Sequence, residues 1–367
     1  MKFSCTQLAR PARTIRFIFP PEIEGTITLL NAKPDFAKRI KAVVHMDMVG
    51  GGPETKAVFH VTRGPMSLPS FVHDVAWAFA EWVNEESYKF AATGKAEYPM
   101  VAPEGGKEPL RAEYSAFTMG SDHDVYQDSS FGIPAIYLND WPDRYIHTNF
   151  DTAANIDPTK LKRAAFIGAA SGYFLANFSG DDVPSTDGAI ITGRLLRTVP
   201  LMQRRRDSAP NDMYVLPDNS IRYEHGILSS IDAFAPGLGR ALWTDWAKTI
   251  DDLVGLPNGL REEARGTGKT IFRRLKEPRG PLAVFGYDYF ADHGKVAGVA
   301  TPKLLSYEGL WGAGEEYAYE VLNFADGKRN AQEIRDAVSA EYGPIPLEVV
   351  VEYLKALEKI GVVEQVK

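Results

Sequence analysis

The chain has 367 residues, one cysteine, 41 Lys and Arg against 48 Asp and Glu, and a formal net charge of −7. At roughly 150 residues per domain this is two or three domains with enough chain to build a core without disulfides, and the lone Cys5 excludes an intrachain bridge or a multi-Cys zinc or iron–sulfur site. The 44% hydrophobic, 24% charged composition is that of a globular chain, the acidic balance leaves nucleic acid no phosphate-binding surface to use as a main partner, and a single cysteine fits a reducing cytoplasm.

Arg10, Arg13 and Arg16 interrupt the apolar run that a signal peptide needs, and no stretch approaches the ~20 apolar residues of a membrane span, so no membrane partner is expected. Thr14–Phe19 and Lys41–Met46 read as strands, as do Lys56–Thr62 and Pro134–Leu138. Between them Val72, Val75, Ala76, Phe79 and Val83 recur at helical spacing, and Leu161, Phe166, Ala169 and Tyr173 do the same. Strands alternating with helices predict an α/β layer fold over residues 1–180, a mixed sheet flanked by helices. Residues 181–302 loosen into polar, Pro- and Gly-punctuated sequence and are expected to form helical extensions and loops packed on the first domain.

Order returns over residues 303–367. Asn330 with Glu333 is a capping box, a second helix follows Pro346 and ends at Gly361, and Val362–Val366 reads as a strand. This pattern resembles a winged-helix domain, similar to the small peptide-binding winged helices of cofactor-maturation systems. DNA binding is disfavoured, because residues 301–367 hold seven Lys and Arg against twelve Asp and Glu.

Several familiar motifs fail. Gly266–Thr270 looks like a phosphate loop, but Glu263 stands where its leading Gly belongs, and no Gly-x-Ser-x-Gly, His-Glu-x-x-His or Gly-x-Gly-x-x-Gly occurs. Arg204–Arg206 reads as a solvated surface. What remains is His and carboxylate residues at strand ends. Asp47 closes the strand ending His45-Met46-Asp47-Met48 and is followed by Gly50, Gly51 and Gly52, which is where open α/β sheets place ligands; it is either a metal ligand or a turn cap. His147 lies in the polar loop after Leu138, as a ligand or a solvated loop histidine. Ser121 and Asp122, before a short helix, also read as simple N-caps.

Taken together, His45–Met48, Ser121–His123 and the His-Thr plus Asp-Thr at His147–Thr152 resemble the catalytic domain of the co-catalytic zinc exopeptidases, the family of bacterial leucyl aminopeptidases and glutamate carboxypeptidase. The resemblance covers about Arg13–Phe178. It implies two zinc ions, a peptide substrate and removal of N-terminal residues, with Asp47 on one zinc and His147 on the other. Pro21-Glu22-Ile23-Glu24-Gly25 stands at the family's Glu-Glu-x-Gly, so Glu22 inherits either the general-base role or a ligand role. The family's His-x-Asp and its bridging Asp precede the strand placed at Thr14–Phe19, and the chain reads as starting inside the domain. An incomplete two-zinc site, impaired aminopeptidase activity, and self-association into a homo-oligomer through the unpaired edge at Thr14–Phe19 are therefore expected. The alternative is a non-catalytic relic or a peptide- or protein-binding module acting through the winged helix.

Overall fold

The structure is a computed structural model that describes residues 10–206, 208–209, 212–239, 266–284, 287–309 and 314–366. Its first sheet has four strands, β1 (Val43–Met46), β2 (Val58–Thr62), β3 (Glu113–Ser115) and β4 (Ala135–Trp141), in the order β1-β4-β2-β3. β4 runs parallel to β1 and antiparallel to β2, while β2 and β3 are parallel, which makes the sheet mixed as expected. β4 is buried along six of its seven residues because it has neighbours on both edges and cover on both faces.

Period-2 alternation decides what each face carries. Val44, Ile136 and Leu138 join the large core, against which α3 (Val72–Thr93) and α5 (Pro158–Asn177) pack. Both helices lie where the apolar spacing predicted them. Val43 and Ala135 turn the other way, toward a smaller cluster formed with Ile23, Leu30, Ala37, Val125 and Tyr126. Ile23 immediately precedes α1 (Glu24–Ala32), which carries Leu30; Ala37 comes from α2 (Pro34–Ala37), and Val125 and Tyr126 from α4 (His123–Gln127), the short helix expected after Ser121 and Asp122, whereas the sequence pattern did not reveal α1 and α2.

The strand expected at Thr14–Phe19 is not formed. The segment makes no backbone hydrogen bond to another described residue, and Phe17 and Phe19 are 85% and 92% exposed. β-propensity measures fit to a paired, half-buried surface, and no described strand runs beside these residues to supply one. The segment is pinned at its start instead. Arg13 N–H donates to Ala176 O at 2.9 Å, and the Arg13 guanidinium reaches the carbonyls of Leu175, Phe178 and Phe234.

Residues 181–302 contribute α6 (Val183–Arg206) and α7 (Asp212–Ser230). They are fastened to α3 through buried charge: Arg197 Nη1 donates to Asp74 Oδ1 at 2.6 Å, and Arg197 Nε and Nη2 each donate to Glu224 at 2.7 Å. Gly193 permits this approach, since a Cβ there would stand 2.1 Å from Asp74 Oδ1. Arg204 is half-buried rather than solvated, and donates to Glu341 O at 2.8 Å.

A second sheet is built from β5 (Ile271–Arg274), β8 (Asp326–Asn330) and β9 (Val363–Val366), with β5 in the middle and antiparallel to both neighbours. A separate two-stranded hairpin, β6 (Ala283–Val284) with β7 (Tyr287–Asp288), leads into α8 (Tyr289–Val296). The helices α9 (Gly314–Asn323), α10 (Ala331–Tyr342) and α11 (Leu347–Lys359) complete the C-terminal region. Both hydrogen bonds of the Asn330–Glu333 capping box are present at 2.9 Å, opening α10 as predicted. The phosphate-loop look-alike Gly266–Lys269 is a 3-10 turn that runs into β5, not a loop opening a helix. One continuous core joins this region to α3, α6 and α7. A buried carboxyl pair reinforces the joint: Ser67 N–H donates to Glu320 at 2.9 Å and Met66 N–H to Glu341 at 3.0 Å.

Candidate active site

The carboxyl end of β1 and the start of α1 meet over the smaller face of the sheet. In register, His45 lies beside Tyr137, and their rings stack with centroids 5.0 Å apart. Tyr137 also stacks on the buried His123 at 4.1 Å, so the His45 ring stands at the end of an aromatic pile that fixes its plane. Asp47, two residues on from His45, follows the same parity. Its turn is shaped by Asp140, which accepts from Gly50 and Gly51 N–H at 2.7 and 2.8 Å and pairs with Lys160 Nζ at 2.5 Å. Gly50 has φ 94, a left-handed value that glycine adopts without strain.

Glu22 is brought in by its neighbour. Ile23 is buried at φ 59, a left-handed conformation that a β-branched residue adopts only under constraint. The constraint is Asp122, whose Oδ1 accepts from Ile23 N–H at 3.0 Å and from Thr26 Oγ1. Asp122 therefore ties the start of α1 to α4 and makes no side-chain cap of its own helix. Met48, beside Asp47, and His147 itself also have left-handed backbone, at φ 52 and 58. Each of the three sequence-derived residues thus sits at or next to a strained position, which is common at functional sites.

Ser121 Oγ stands at the centre. It lies 3.0 Å from Glu22 Oε1, 2.9 Å from Asp47 Oδ2 and 2.8 Å from His45 Nε2. The carboxylates only accept, so the single Ser121 proton is donated to one of the two at a time, and His45 donates its Nε2–H to the Ser121 oxygen. Burial raises the Glu22 carboxyl above its ordinary value; Ser121 opposes the rise, and the Asp47 and Asp122 charges add to it. Burial lowers His45, against the pull of Asp122 and Asp47. His123 is pushed down to about 3, by burial first and by His45 second, and its Nε2 donates to Thr118 O at 2.7 Å as a neutral ring.

The structure brings Glu22 and Asp47 together through Ser121. His147 is exposed on the loop after β4, which Asp143 organises by accepting from Tyr145 and Ile146 N–H at 2.6 and 3.2 Å. Sequence reasoning treated Ser121 and Asp122 as N-caps and gave His45 no role. The shared parity of His45 and Asp47 on β1 was the available signal.

Residues 4–171 match the family model of peptidase family M28. Through this segment, just under half of the chain, the protein is similar to peptidase family M28. Neither a curated protein nor a solved structure gives a match. M28 peptidases are generally zinc-dependent, so the donor set of this site can be tested against zinc. A catalytic zinc takes about three protein ligands at roughly 2.0–2.2 Å. Among the described residues no three His, Cys, Asp or Glu side chains are grouped to hold a metal, and the point shared by Glu22, Asp47 and His45 is filled by the Ser121 oxygen. As placed, the residues do not fit the ion. No helix among the described residues is long and apolar enough to cross a membrane.

Proposed function

We propose that this metallopeptidase-family chain has an aminopeptidase-type site acting on peptide N-termini, with Glu22 as its general base, Asp47 and His147 on its metal side, and an impaired zinc-dependent turnover. The observation that carries the reading is the meeting of Glu22 with Asp47 beside the strained Ile23, at the sheet end where the family motifs fall. A carboxyl whose proton affinity is raised by burial suits a base that takes a proton from an attacking water and passes it to the leaving amine. Impairment is supported by Ser121 Oγ standing within hydrogen-bond distance of both carboxylates, and by the lack, among the described residues, of three His, Cys, Asp or Glu side chains grouped to hold a metal. A reducing cytoplasm suits the single cysteine.

Release of the N-terminal residue from aminoacyl-p-nitroanilides and short peptides tests the reading, with and without added zinc. Slow hydrolysis that Glu22→Gln lowers by about 100-fold or more is expected from loss of a general base. Hydrolysis at a rate that Glu22→Gln leaves unchanged would remove Glu22 from the mechanism. After dialysis, elemental analysis should show well under one zinc per chain.

A further inference from the structure

Charge lies on the inner side of α6. A helix at the surface of a globular protein normally turns its charged residues outward and its apolar stripe inward. Between Gly188 and Gln203 the only charged residues of α6 are Arg194 and Arg197, and both turn inward: Arg194 is 2% exposed, and Arg197 holds Asp74 and Glu224. Val183, Thr186, Ile190, Gly193 and Leu201 are buried on that same side, where α6 packs on α3 and α7. The outer side carries Leu195, Leu196, Val199 and Met202, each between 41% and 57% exposed. Gly188 faces open space, since a Cβ there would meet no atom within 4 Å. Single exposed apolar residues are ordinary, but four on one side of one helix, with no exposed charge between them, make a patch of the kind that marks an interaction surface.

We infer that the outer face of α6 is an interface between two copies of this chain, packed antiparallel about a two-fold axis at the level of Arg197. Spacing is the first support. Gly188, Thr192, Leu195, Val199, Met202 and Arg206 follow one another at intervals of four, three, four, three and four, the repeat of a helix-pairing seam. The seam also reads alike in both directions from Arg197, with Leu195 and Val199 two residues away, Thr192 and Met202 five, and Gly188 and Arg206 nine. A two-fold contact sets one patch on its own copy, so this symmetry puts Leu195 against the partner's Val199 and Thr192 against the partner's Met202. Charge is the second support, and it fixes the direction. Asp181, Asp182 and Asp187 lie at the start of α6 and Arg204, Arg205 and Arg206 at its end, so antiparallel copies bring opposite charges together whereas parallel copies would oppose like ones. The helix is also held still, because the Arg197 ion pairs with Asp74 and Glu224 lie beneath the axis. From Gly188 to Arg206 the seam is about 27 Å long and about 10 Å wide, so it buries less than the ~800 Å² per partner of a standard interface. The dimer is therefore reversible, forming at concentrations on the order of tens of micromolar.

Sedimentation velocity of the full chain from about 5 to about 200 µM provides the test, with Phe17→Ser and Phe19→Ser in every chain to take the exposed segment before α1 out of the comparison. This reference chain should pass from monomer to dimer over the range. Leu195→Glu and Val199→Lys, each alone, should move the transition at least about tenfold higher, because each sets a charge against an apolar side chain of the partner. Equimolar mixing of these two variants should restore the dimer. The antiparallel register then sets the carboxylate of one chain against the ammonium of the other, and leaves Val199 against Leu195 across the axis. Both positions are half-exposed and both new residues favour a helix, and circular dichroism confirms that each variant is folded. A reference chain that stays monomeric throughout overturns the inference, and if that monomer sediments with phosphatidylglycerol vesicles the face belongs to a lipid surface instead. A dimer that neither substitution weakens also overturns it, as does a mixture of the two variants that remains monomeric.

Discussion

The two faces of the first sheet are held by different physics. On the α3 and α5 face, Val44, Ile136 and Leu138 enter a core that runs without interruption through α6 and α7 to the C-terminal helices. On the α1 and α4 face the described buried apolar cluster is small, formed by Ile23, Leu30, Ala37, Val125, Tyr126, Ile133 and Ala135, and beside it the contacts are polar: Asp122 on Ile23 and Thr26, Ser121 on Glu22, Asp47 and His45. The thick face supplies stability through area, and the thin face supplies position through directed hydrogen bonds. Polar groups can converge where little apolar area is at stake, which is why the candidate site lies on the thin side.

That contrast is most sharply broken or upheld at Arg197. Arg197→Met leaves Asp74 and Glu224 buried without their cation, and should cost about 3–5 kcal/mol of unfolding free energy in urea titration. Asp122→Ala, on the thin face, removes the acceptor of two hydrogen bonds and should cost about 2 kcal/mol. Its effect should be local, with amide exchange accelerated at Ile23 and through α1 while α3 and α11 stay protected. Equal losses with equal spread for the two variants would erase the distinction between the faces.

The thick face has its own polar exception, and it makes stability depend on pH. Burial raises the carboxyls of both Glu320 and Glu341 above their ordinary 4.5; at Glu341 the neighbouring Glu320 charge adds to the rise and Arg63 opposes it. The folded chain then holds a proton that the unfolded chain releases above about 4.5. Stability from this source is complete at acid pH and declines as pH rises through the folded value. Glu341→Gln retains an acceptor for Met66 N–H but does not titrate. Thermal midpoints measured from pH 5 to 9 should decline less steeply in that variant, and an unchanged slope would mean that the pair does not titrate in this range.

The smallest effect on stability is expected at the exposed segment before α1. Phe17→Ser with Phe19→Ser should change unfolding free energy by no more than about 0.5 kcal/mol, since neither side chain is buried. We propose that the same pair of changes lowers self-association, because Ile15, Phe17 and Phe19 present apolar surface along a backbone that has no ladder partner among the described residues. Sedimentation velocity at micromolar concentration distinguishes the two chains, and identical monomeric profiles would remove this segment from any assembly.

The sequence by itself determined the elements whose cause is local or periodic. α3 and α5 follow from apolar residues at helical spacing, the opening of α10 follows from Asn330 and Glu333, and β1, β2 and β4 follow from short β-branched and aromatic runs. Family motifs placed Glu22, Asp47 and His147 before any contact was known. Only the tertiary structure decided what those residues touch. Thr14–Phe19 has the composition of a strand and is not one, because a strand exists through the neighbour that completes its ladder. Ser121 reads as a helix cap, yet it is 76 residues from His45, 74 from Asp47 and 99 from Glu22, and chain folding alone puts its oxygen between them. Spacing along one chain encodes helices and turns, whereas three carboxylate and imidazole groups meeting at a single oxygen is a property of how sheet, loop and helix are packed.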